Sequence, residues 1–210
     1  MTTATLKDAR FWDNIADSYS RKPIADEEAY EIKLSITREY LSPEDCVLEF
    51  GCGTGSTALR HAPYVAHIDA IDVSSEMIAI AQRKADAGNV PNVTFREGDI
   101  EDPSLETGRY DAVFGLSILH LMHDRDAVLQ RVHTMLKPGG VFVTSTTCLG
   151  DGQIHWRMLL PLMRAIGKAP FISFFSQNDL IEAHTRAGFQ IVHQWQPSKD
   201  AALFLVAQKI

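Results

Sequence analysis

The stretch from Cys46 to Gly55, Cys-Val-Leu-Glu-Phe-Gly-Cys-Gly-Thr-Gly, restricts the fold of this chain more than any other. Val47, Leu48 and Phe50 form a short apolar run, which is typical of a strand buried on both faces of a parallel sheet. The run leads into glycines at alternate positions, and glycine allows a tight turn and lets a ligand approach backbone N–H groups at the start of a helix. The stretch therefore predicts a strand, a turn and a helix that bind a nucleoside cofactor.

The spacing of the glycines distinguishes between the known classes of nucleotide-binding loop. Dinucleotide-binding loops read G-x-G-x-x-G and P-loops read G-x-x-x-x-G-K-[ST], whereas this loop reads Gly-x-Gly-x-Gly with Glu49 just before it. The run from Leu48 to Gly55 resembles the nucleotide-binding motif of class I S-adenosylmethionine-dependent methyltransferases. That resemblance implies that Glu49 and the glycine loop hold the methionine part of the cofactor. A tight strand-to-helix turn without a ligand is the structural alternative.

Composition limits the setting in which the chain works. Its 210 residues suit one domain. Three cysteines, Cys46, Cys52 and Cys148, form no C-x-x-C pair, which favours a reducing compartment and argues against a zinc cluster. The chain shows neither an apolar run of membrane-spanning length nor a signal peptide, so we expect a cytoplasmic protein without stable membrane insertion. With 27 acidic and 20 basic residues, the formal charge is −7, which disfavours a nucleic-acid partner. No acidic cluster predicts a metal.

Residues 1–41 predict a helical leader that breaks at Pro23. Phe11, Trp12 and Tyr19 lie at helical spacing in its first half. The segment resembles the leader that many small-molecule methyltransferases fold over the cofactor. The resemblance implies that Tyr19 lies near the methionine end and the transferred methyl group, as a cofactor-binding and catalytic candidate. Aromatic residues at this spacing also pack helices onto sheets, and both interpretations can hold together.

Acidic residues follow the next two predicted strands. Asp72 lies seventeen positions beyond Gly55, and an acid roughly 20 positions after such a loop can bind ribose hydroxyls. Asp69 is the rival, but it lies in mid-strand. The resemblance also places the ribose acid at Asp72, and it implies that Asp99 contacts the adenine amino group while Ile100 packs on the ring. The structural alternatives are a helix cap at Asp72 and a turn stabilised by Asp99.

Three successive strand ends thus carry ligand-type residues, and open α/β sheets bind ligands at the carboxyl ends of their strands. The resemblance implies a cofactor site made of Tyr19, Glu49, Gly51, Cys52, Gly53, Gly55, Asp72, Val73, Met77, Asp99, Ile100 and Leu116.

The fourth predicted strand, 110–115, leads to the corner where cofactor and acceptor should meet. The pattern Leu-x-x-Leu-His120-x-x-x-Asp124 resembles a loop of small-molecule methyltransferases in which a histidine lies near the acceptor. A neutral imidazole could take a proton from a hydroxyl, thiol or amine, so His120 is a catalytic candidate. Alternatively, His120 orients the loop or packs beside the cofactor. His123 is a weaker candidate for a ligand role.

Residues 148–175 should distinguish this chain from its relatives. Apolar residues fall near one helix face, others add aromatic and basic character, and a proline predicts a kink. These residues are Ile154, Met158, Leu162 and Ile166; Trp156, Arg157, Arg164 and Lys168; and Pro161. Three interpretations stay open: a lid over an apolar substrate, core or dimer packing, and an interfacial helix that presents a lipid.

The C-terminal part completes the predicted fold. A turn into a strand is predicted at residues 136–140. A capping box that opens a helix is predicted from Ser176 and Asp179. Two strands that pair antiparallel are predicted at 190–195 and 201–208. The resemblance implies one domain over residues 1–210. Its fold is α/β: a doubly wound, seven-stranded, mostly parallel, Rossmann-like sheet with an antiparallel C-terminal hairpin and helices on both faces.

The predicted function is methyl transfer from S-adenosyl-L-methionine to a small-molecule acceptor by a monomer or homodimer, with an oxygen, nitrogen, sulfur or carbon nucleophile. In-line displacement needs mainly alignment of acceptor and methyl group in a site screened from water. An NAD(P)-dependent oxidoreductase could share the sheet and Asp72, but the glycine spacing and Asp99 count against it. A non-catalytic cofactor-binding domain is the other alternative.

Overall fold

The computed structural model of the chain describes residues 3–150, 159–160, 162–164 and 167–210. Its strands are β1 Cys46–Phe50, β2 His67–Asp72, β3 Val93–Glu97, β4 Tyr110–Leu116, β5 Leu136–Thr146, β6 Phe189–Trp195 and β7 Leu203–Lys209. They form one seven-stranded sheet in the order β3-β2-β1-β4-β5-β7-β6. Strands β1 to β5 are parallel, and β7 is antiparallel to both β5 and β6. The predicted sheet is confirmed.

Helices connect and cover the strands. They are α1 Thr3–Ser20, α2 Glu27–Arg38, α3 Ser56–His61, α4 Ser75–Gly88, α5 Arg125–Met135 and α6 Gln177–Arg186, with 3₁₀ turns at Ala62–Tyr64 and Leu119–Leu121. The predicted break at Pro23 falls between α1 and α2. The predicted capping box is present, since the Ser176 side chain accepts from the Asp179 N–H and the Asp179 side chain accepts from the Ser176 N–H. None of the helices described is long and apolar enough to cross a membrane.

Both faces of the sheet are buried. Leu48, Val113 and Phe142 share one apolar cluster with residues of α5 and α6. The next residues along the strands, such as Val47 and Phe114, point to the other face, where they join residues of α3 and α4. This alternation follows from the period of two along a strand, and it confirms the expectation of helices on both faces.

The strand order reverses between β1 and β4, which are neighbours in the sheet. From β1 the chain proceeds through β2 to β3 on one side, and then returns to β4 and β5 on the other. Connections that leave in opposite directions open a crevice at the carboxyl ends of the strands, which is where doubly wound sheets bind ligands. The glycine loop after β1 lies at this point.

One local detail, the predicted turn at 136–140, differs from the prediction. Leu136 already pairs with Tyr110, so the predicted turn at 136–140 is an irregularity inside β5, which resumes regular pairing at Val141. The Lys137 ammonium, 2.8 Å from both carboxylate oxygens of Asp111, ties this irregularity to β4. Helix α4 ends at Gly88, and the residue after it, Asn89, caps the helix in the left-handed conformation at φ 49°.

Two buried histidines make the fold sensitive to acid. His184 in α6 and His61 in α3 are fully buried, and the Nδ1 atom of each lies within hydrogen-bond distance of the carbonyl four residues before it. Burial is the main cause that lowers the pKa of each imidazole to about 4. The unfolded chain, in which histidine has a pKa of about 6.5, therefore binds more protons between these values.

We expect the free energy of unfolding to fall as pH is lowered from about 6.5 to about 4, by up to about 3 kcal/mol for each histidine. A His184→Gln variant should lose the part of this pH dependence that is due to His184, and we expect it to be less stable than wild type at neutral pH. Urea unfolding between pH 4 and 7 measures the slope. His193→Gln, on the partly exposed strand β6, is the control. Equal slopes for wild type and His184→Gln would contradict the assignment.

Candidate functional site

The three glycines of the loop differ in the space around them: one has room for a side chain and two are closely packed against neighbouring side chains. Gly51, Gly53 and Gly55 all have positive φ, at 63°, 53° and 74°. A Cβ added to Gly55 would lie 2.7 Å from the Phe95 ring, and one added to Gly51 would lie 2.7 Å from Ile118. A Cβ added to Gly53 would meet no heavy atom of the described residues within 4 Å. Gly53 therefore faces open space, whereas Gly55 allows close packing beneath the loop.

That open space is a cavity of about 290 Å³ at the carboxyl ends of β1 to β4. Nine of the predicted site residues line it: Tyr19, Gly51, Gly53, Asp72, Val73, Met77, Asp99, Ile100 and Leu116. The predicted residues outside the lining are Glu49, Cys52, Gly55 and His120. The fold thus brings residues from four strand ends and the leader to one place.

Asp72 links β2 to the glycine loop. One carboxylate oxygen accepts the Gly53 N–H at 2.8 Å, and the other accepts the Ser74 N–H at 2.9 Å. Burial is the main cause that raises the pKa of this carboxyl, and the two backbone N–H groups act against the rise. The helix cap proper is the Ser74 hydroxyl, which accepts the Met77 N–H at 3.1 Å. Asp72 therefore orders the turn and also faces the cavity.

Glu49, near the end of β1, and Cys52, within the glycine loop, are both buried. Glu49 is only 3% exposed, and its Oε2 atom has no hydrogen-bond partner among the described residues. Burial, and then the negative charge of Asp72, raises the pKa of Glu49 to about 8, so the carboxyl is mostly neutral at pH 7. Burial is also the main cause that raises the pKa of the Cys52 thiol well above its usual range. The Cys52 thiol is therefore a poor nucleophile.

The third and fourth strand ends complete the floor of the cavity. Asp99 accepts the Glu101 N–H at 3.0 Å, so it stabilises the local turn while it lines the cavity. Ser117, directly after β4, has φ 57°, a conformation that is uncommon for a residue with a side chain. Its N–H donates to the Ser145 carbonyl at 2.7 Å, which holds this strained turn at the cavity edge.

The leader helix α1 covers one side of the cavity. The Asp13 carboxylate accepts the Ser74 hydroxyl at 2.6 Å and the Glu76 N–H at 3.2 Å, which fixes α1 to the start of α4. The Trp12 and Tyr19 rings meet edge to face, with centroids 6.1 Å apart. Tyr19 remains 44% exposed and reaches the cavity rim. Both interpretations of this aromatic stripe, packing and cavity lining, apply together.

Of the two nearby histidines, His123 lines the cavity and His120 does not. His120 belongs to the 3₁₀ turn Leu119–Leu121, and its Nδ1 atom is buried without a partner among the described residues. Burial lowers its pKa to about 4. His123 Nε2 lies 3.0 Å from the Asp8 carboxylate, and its ring stacks on Phe171 with centroids 3.9 Å apart.

Sequence reasoning missed several residues of this wall. Asp8, Ser117 and Phe171 line the cavity, yet none of them follows a recognisable motif. In the 148–175 segment, Ile154, Trp156, Arg157, Met158, Pro161 and Ile166 lie outside the described residues. Arg164 is described, and it lies 3.5 Å from Asp8 and over the Phe171 ring.

Comparison with known proteins agrees with this geometry. Residues 47–140 match the family model described as a methyltransferase domain. Residues 47–140 are therefore identified as a methyltransferase domain. Among the curated relatives of this methyltransferase domain, the malonyl-[acyl-carrier protein] O-methyltransferase of Bacillus cereus is 33% identical over 150 residues, which cover 70% of this chain and 54% of the relative. The chain spans about half the length of the curated relatives it matches.

Solved structures share the methyltransferase fold at low sequence identity. The geranyl diphosphate C-methyltransferase of Streptomyces coelicolor A3(2), solved with Mg²⁺, geranyl diphosphate and S-adenosyl-L-homocysteine, is 14% identical with a TM-score of 0.77, over 100% of this chain and 99% of that one. The [4+2]-cyclase SpnF is 20% identical with a TM-score of 0.71, over 84% and 79% of the two chains. Because a cyclase shares it, the fold alone does not fix the reaction.

Proposed function

We propose that the chain transfers a methyl group from S-adenosyl-L-methionine to a small-molecule acceptor and leaves S-adenosyl-L-homocysteine. The observation that carries this proposal is the cavity at the strand-order reversal, because Gly53, Asp72, Asp99 and Ile100 from three separate loops all line it. The match of residues 47–140 to a methyltransferase domain supports the same reaction.

The described residues fit the methionine part of this cofactor. Gly53 leaves free the space that a side chain would fill, so the cofactor can contact the loop backbone. The Oε2 atom of Glu49 is buried and has no hydrogen-bond partner in the part of the chain that the structure describes, and a carboxyl at this place suits the cofactor's ammonium group. Since a buried polar atom without a partner is costly, a ligand group that satisfies Glu49 gains free energy.

The nucleoside part suits the next two loops. Each Asp72 oxygen accepts one backbone N–H and keeps a lone pair, so the carboxylate can accept ribose hydroxyls as well. Asp99 uses Oδ1 for the Glu101 N–H, which leaves Oδ2 for the adenine amino group. Ile100 and Met77 supply apolar surface for the ring.

The main contribution of the protein to this reaction is to position the cofactor and the acceptor. When bound, the cofactor supplies a methyl group that its sulfonium already activates, so the protein need not activate it further. Helix α1 and Leu121 of the 3₁₀ turn Leu119–Leu121 contribute to the wall of the cavity in which an acceptor would lie. Alignment of the acceptor in such a site can supply much of the rate. A small acceptor suits a cavity that α1 partly covers.

Calorimetric titration of the purified protein with S-adenosyl-L-homocysteine tests the proposal, with NADH titrated in parallel. We expect micromolar binding of S-adenosyl-L-homocysteine and no binding of NADH. Binding of NADH alone would contradict the proposal and favour an oxidoreductase. Cofactor binding without methyl transfer to any acceptor in a metabolite extract would instead favour a non-catalytic domain.

A further inference from the structure

We propose that the acceptor is an uncharged molecule with an aromatic or otherwise apolar body and a hydroxyl, thiol or amine group, and that His123 takes the proton of that group while Asp8 positions the His123 ring. This inference rests on the proposed methyl transfer and concerns the acceptor side of the same cavity.

The contact between His123 and Asp8 fixes which ring nitrogen can act as a base. Nε2 of His123 lies 3.0 Å from Oδ2 of Asp8. An ionised carboxylate only accepts hydrogen bonds, so Nε2 must carry the hydrogen. In the neutral ring, Nδ1 then has the free lone pair. His123 lines the cavity, and the inference assigns to Nδ1 the contact with the acceptor.

Neighbouring groups hold this pair in place. The rings of His123 and Phe171 are nearly parallel, at 20°, with centroids 3.9 Å apart. The Arg164 guanidinium lies 4.9 Å from the Phe171 centroid and 3.5 Å from the Asp8 carboxylate. Three parts of the chain, α1, the segment before α5 and the segment before α6, therefore converge on one imidazole. A ring fixed from several sides suits a base that must meet its substrate in one geometry.

The rest of the wall favours an uncharged acceptor. Trp12, Leu121, Met122 and Phe171 give this side an aromatic and apolar surface. The acidic side chains that line the whole cavity are Asp8, Asp72, Asp99, Glu101 and Asp124, and none of its described lining residues is lysine or arginine. Arg164 lies 3.5 Å from the Asp8 carboxylate and is not among the lining residues. Among the described lining residues, a carboxylate or phosphate acceptor would meet like charge without a lysine or arginine partner.

The reaction balances with these groups alone. The acceptor heteroatom forms a bond to the methyl carbon while the bond from that carbon to sulfur breaks, and the electron pair of the broken bond stays on sulfur. The acceptor's proton moves to Nδ1 of His123, and the Asp8 carboxylate stabilises the resulting imidazolium. Solvent then removes the proton, since the His123 side chain is 42% exposed.

Three probes with one ring and different head groups test the inference on protein saturated with S-adenosyl-L-homocysteine. They are p-cresol, which has a hydroxyl; 4-methylanisole, in which a methyl group blocks that hydroxyl; and 4-methylbenzoate, which is anionic. Ligand-observed NMR or calorimetry gives their dissociation constants. We expect p-cresol to bind wild type at least about fivefold more tightly than either other probe.

His123→Phe should preserve the stack on Phe171 and remove the hydrogen-bond acceptor. We expect it to abolish the difference between p-cresol and 4-methylanisole, while the affinity for S-adenosyl-L-homocysteine stays within about twofold. Asp8→Asn should reduce the same difference. His193→Phe, far from the cavity lining, is the matched control and should change neither affinity.

Other outcomes would overturn the inference. These are 4-methylbenzoate binding as tightly as p-cresol, an unchanged difference in His123→Phe, and a lack of binding of all three probes to the cofactor-saturated protein. Failure of S-adenosyl-L-homocysteine to bind wild type would instead refute the proposed methyl transfer itself, so the two failures are distinguishable.

Discussion

In a Gly53→Val variant, we expect the affinity for S-adenosyl-L-homocysteine to fall at least about 100-fold while the protein still folds. A Cβ at position 53 points into the cavity and meets no described protein atom, so the valine methyl groups would occupy the space that the cofactor needs. Inserting such groups into a filled site costs about 3 kcal/mol, and each 1.4 kcal/mol is a factor of about ten in the dissociation constant. Calorimetric titration measures the loss.

The variant also forces valine into a left-handed conformation, which costs about 1–2 kcal/mol of stability by itself. Gly108→Val separates this strain from the loss of binding. Gly108 has φ 65°, and an added Cβ there also meets nothing within 4 Å, but it lies outside the cavity lining. We expect both variants to lower the melting temperature by similar amounts and only Gly53→Val to lose the cofactor. Retained binding in Gly53→Val would remove the loop from the site.

The site residues that stand at the ends of strands were predictable, because each can be recognised from the residues next to it in the sequence. Gly53 stands in a glycine-rich turn directly after an apolar run, and Asp72 and Asp99 each end the next predicted strand. Parallel strands bring their carboxyl ends to one edge, so the order of elements along the chain is enough to bring such residues together. The structure places all three on the cavity, while their contacts with a cofactor stay a prediction.

The acceptor side was not predictable because tertiary packing alone assembles it. Asp8 lies in the first helix and Phe171 far along the chain, and neither position has a periodicity or spacing that indicates contact with His123. The sequence pattern favoured His120, but the 3₁₀ turn Leu119–Leu121 places His120 outside the lining and His123 in it. Periodicity predicts which faces of an element are buried, yet it does not predict which loops meet.

Glu49→Gln should stabilise the protein and weaken cofactor binding. The folded protein holds the Glu49 pKa at about 8, whereas an unfolded glutamate has a pKa of about 4.3. The folded state therefore binds more protons, so Glu49's contribution to stability is full below the unfolded pKa and is lost as pH rises towards 8. At pH 7, this loss amounts to about 3 kcal/mol. Glutamine is neutral in both the folded and the unfolded state, so the variant does not have this loss of stability.

Urea unfolding of Glu49→Gln at pH 5 and pH 7.5 measures the gain, which we expect to be larger at pH 7.5. Glu97→Gln, at the exposed end of β3, is the control and should change stability little at either pH. If Glu49→Gln were less stable than wild type at pH 7.5, the carboxyl would have to be ionised and paired in the folded state, which would contradict its assignment as a neutral acid.

The same variant should bind S-adenosyl-L-homocysteine about 10- to 100-fold more weakly, because a carboxylate beside an ammonium group contributes about 1.5–3 kcal/mol. Wild-type affinity should rise with pH towards 8, since the carboxyl must release its proton to pair with the ligand, and that dependence should vanish in Glu49→Gln. A residue that lowers the stability of the free protein and improves binding is retained for the ligand, whereas a packing residue would show both effects with the same sign. Opposite signs at this one position would therefore identify Glu49 as part of the cofactor site, although Glu49 is not among the residues that line the cavity.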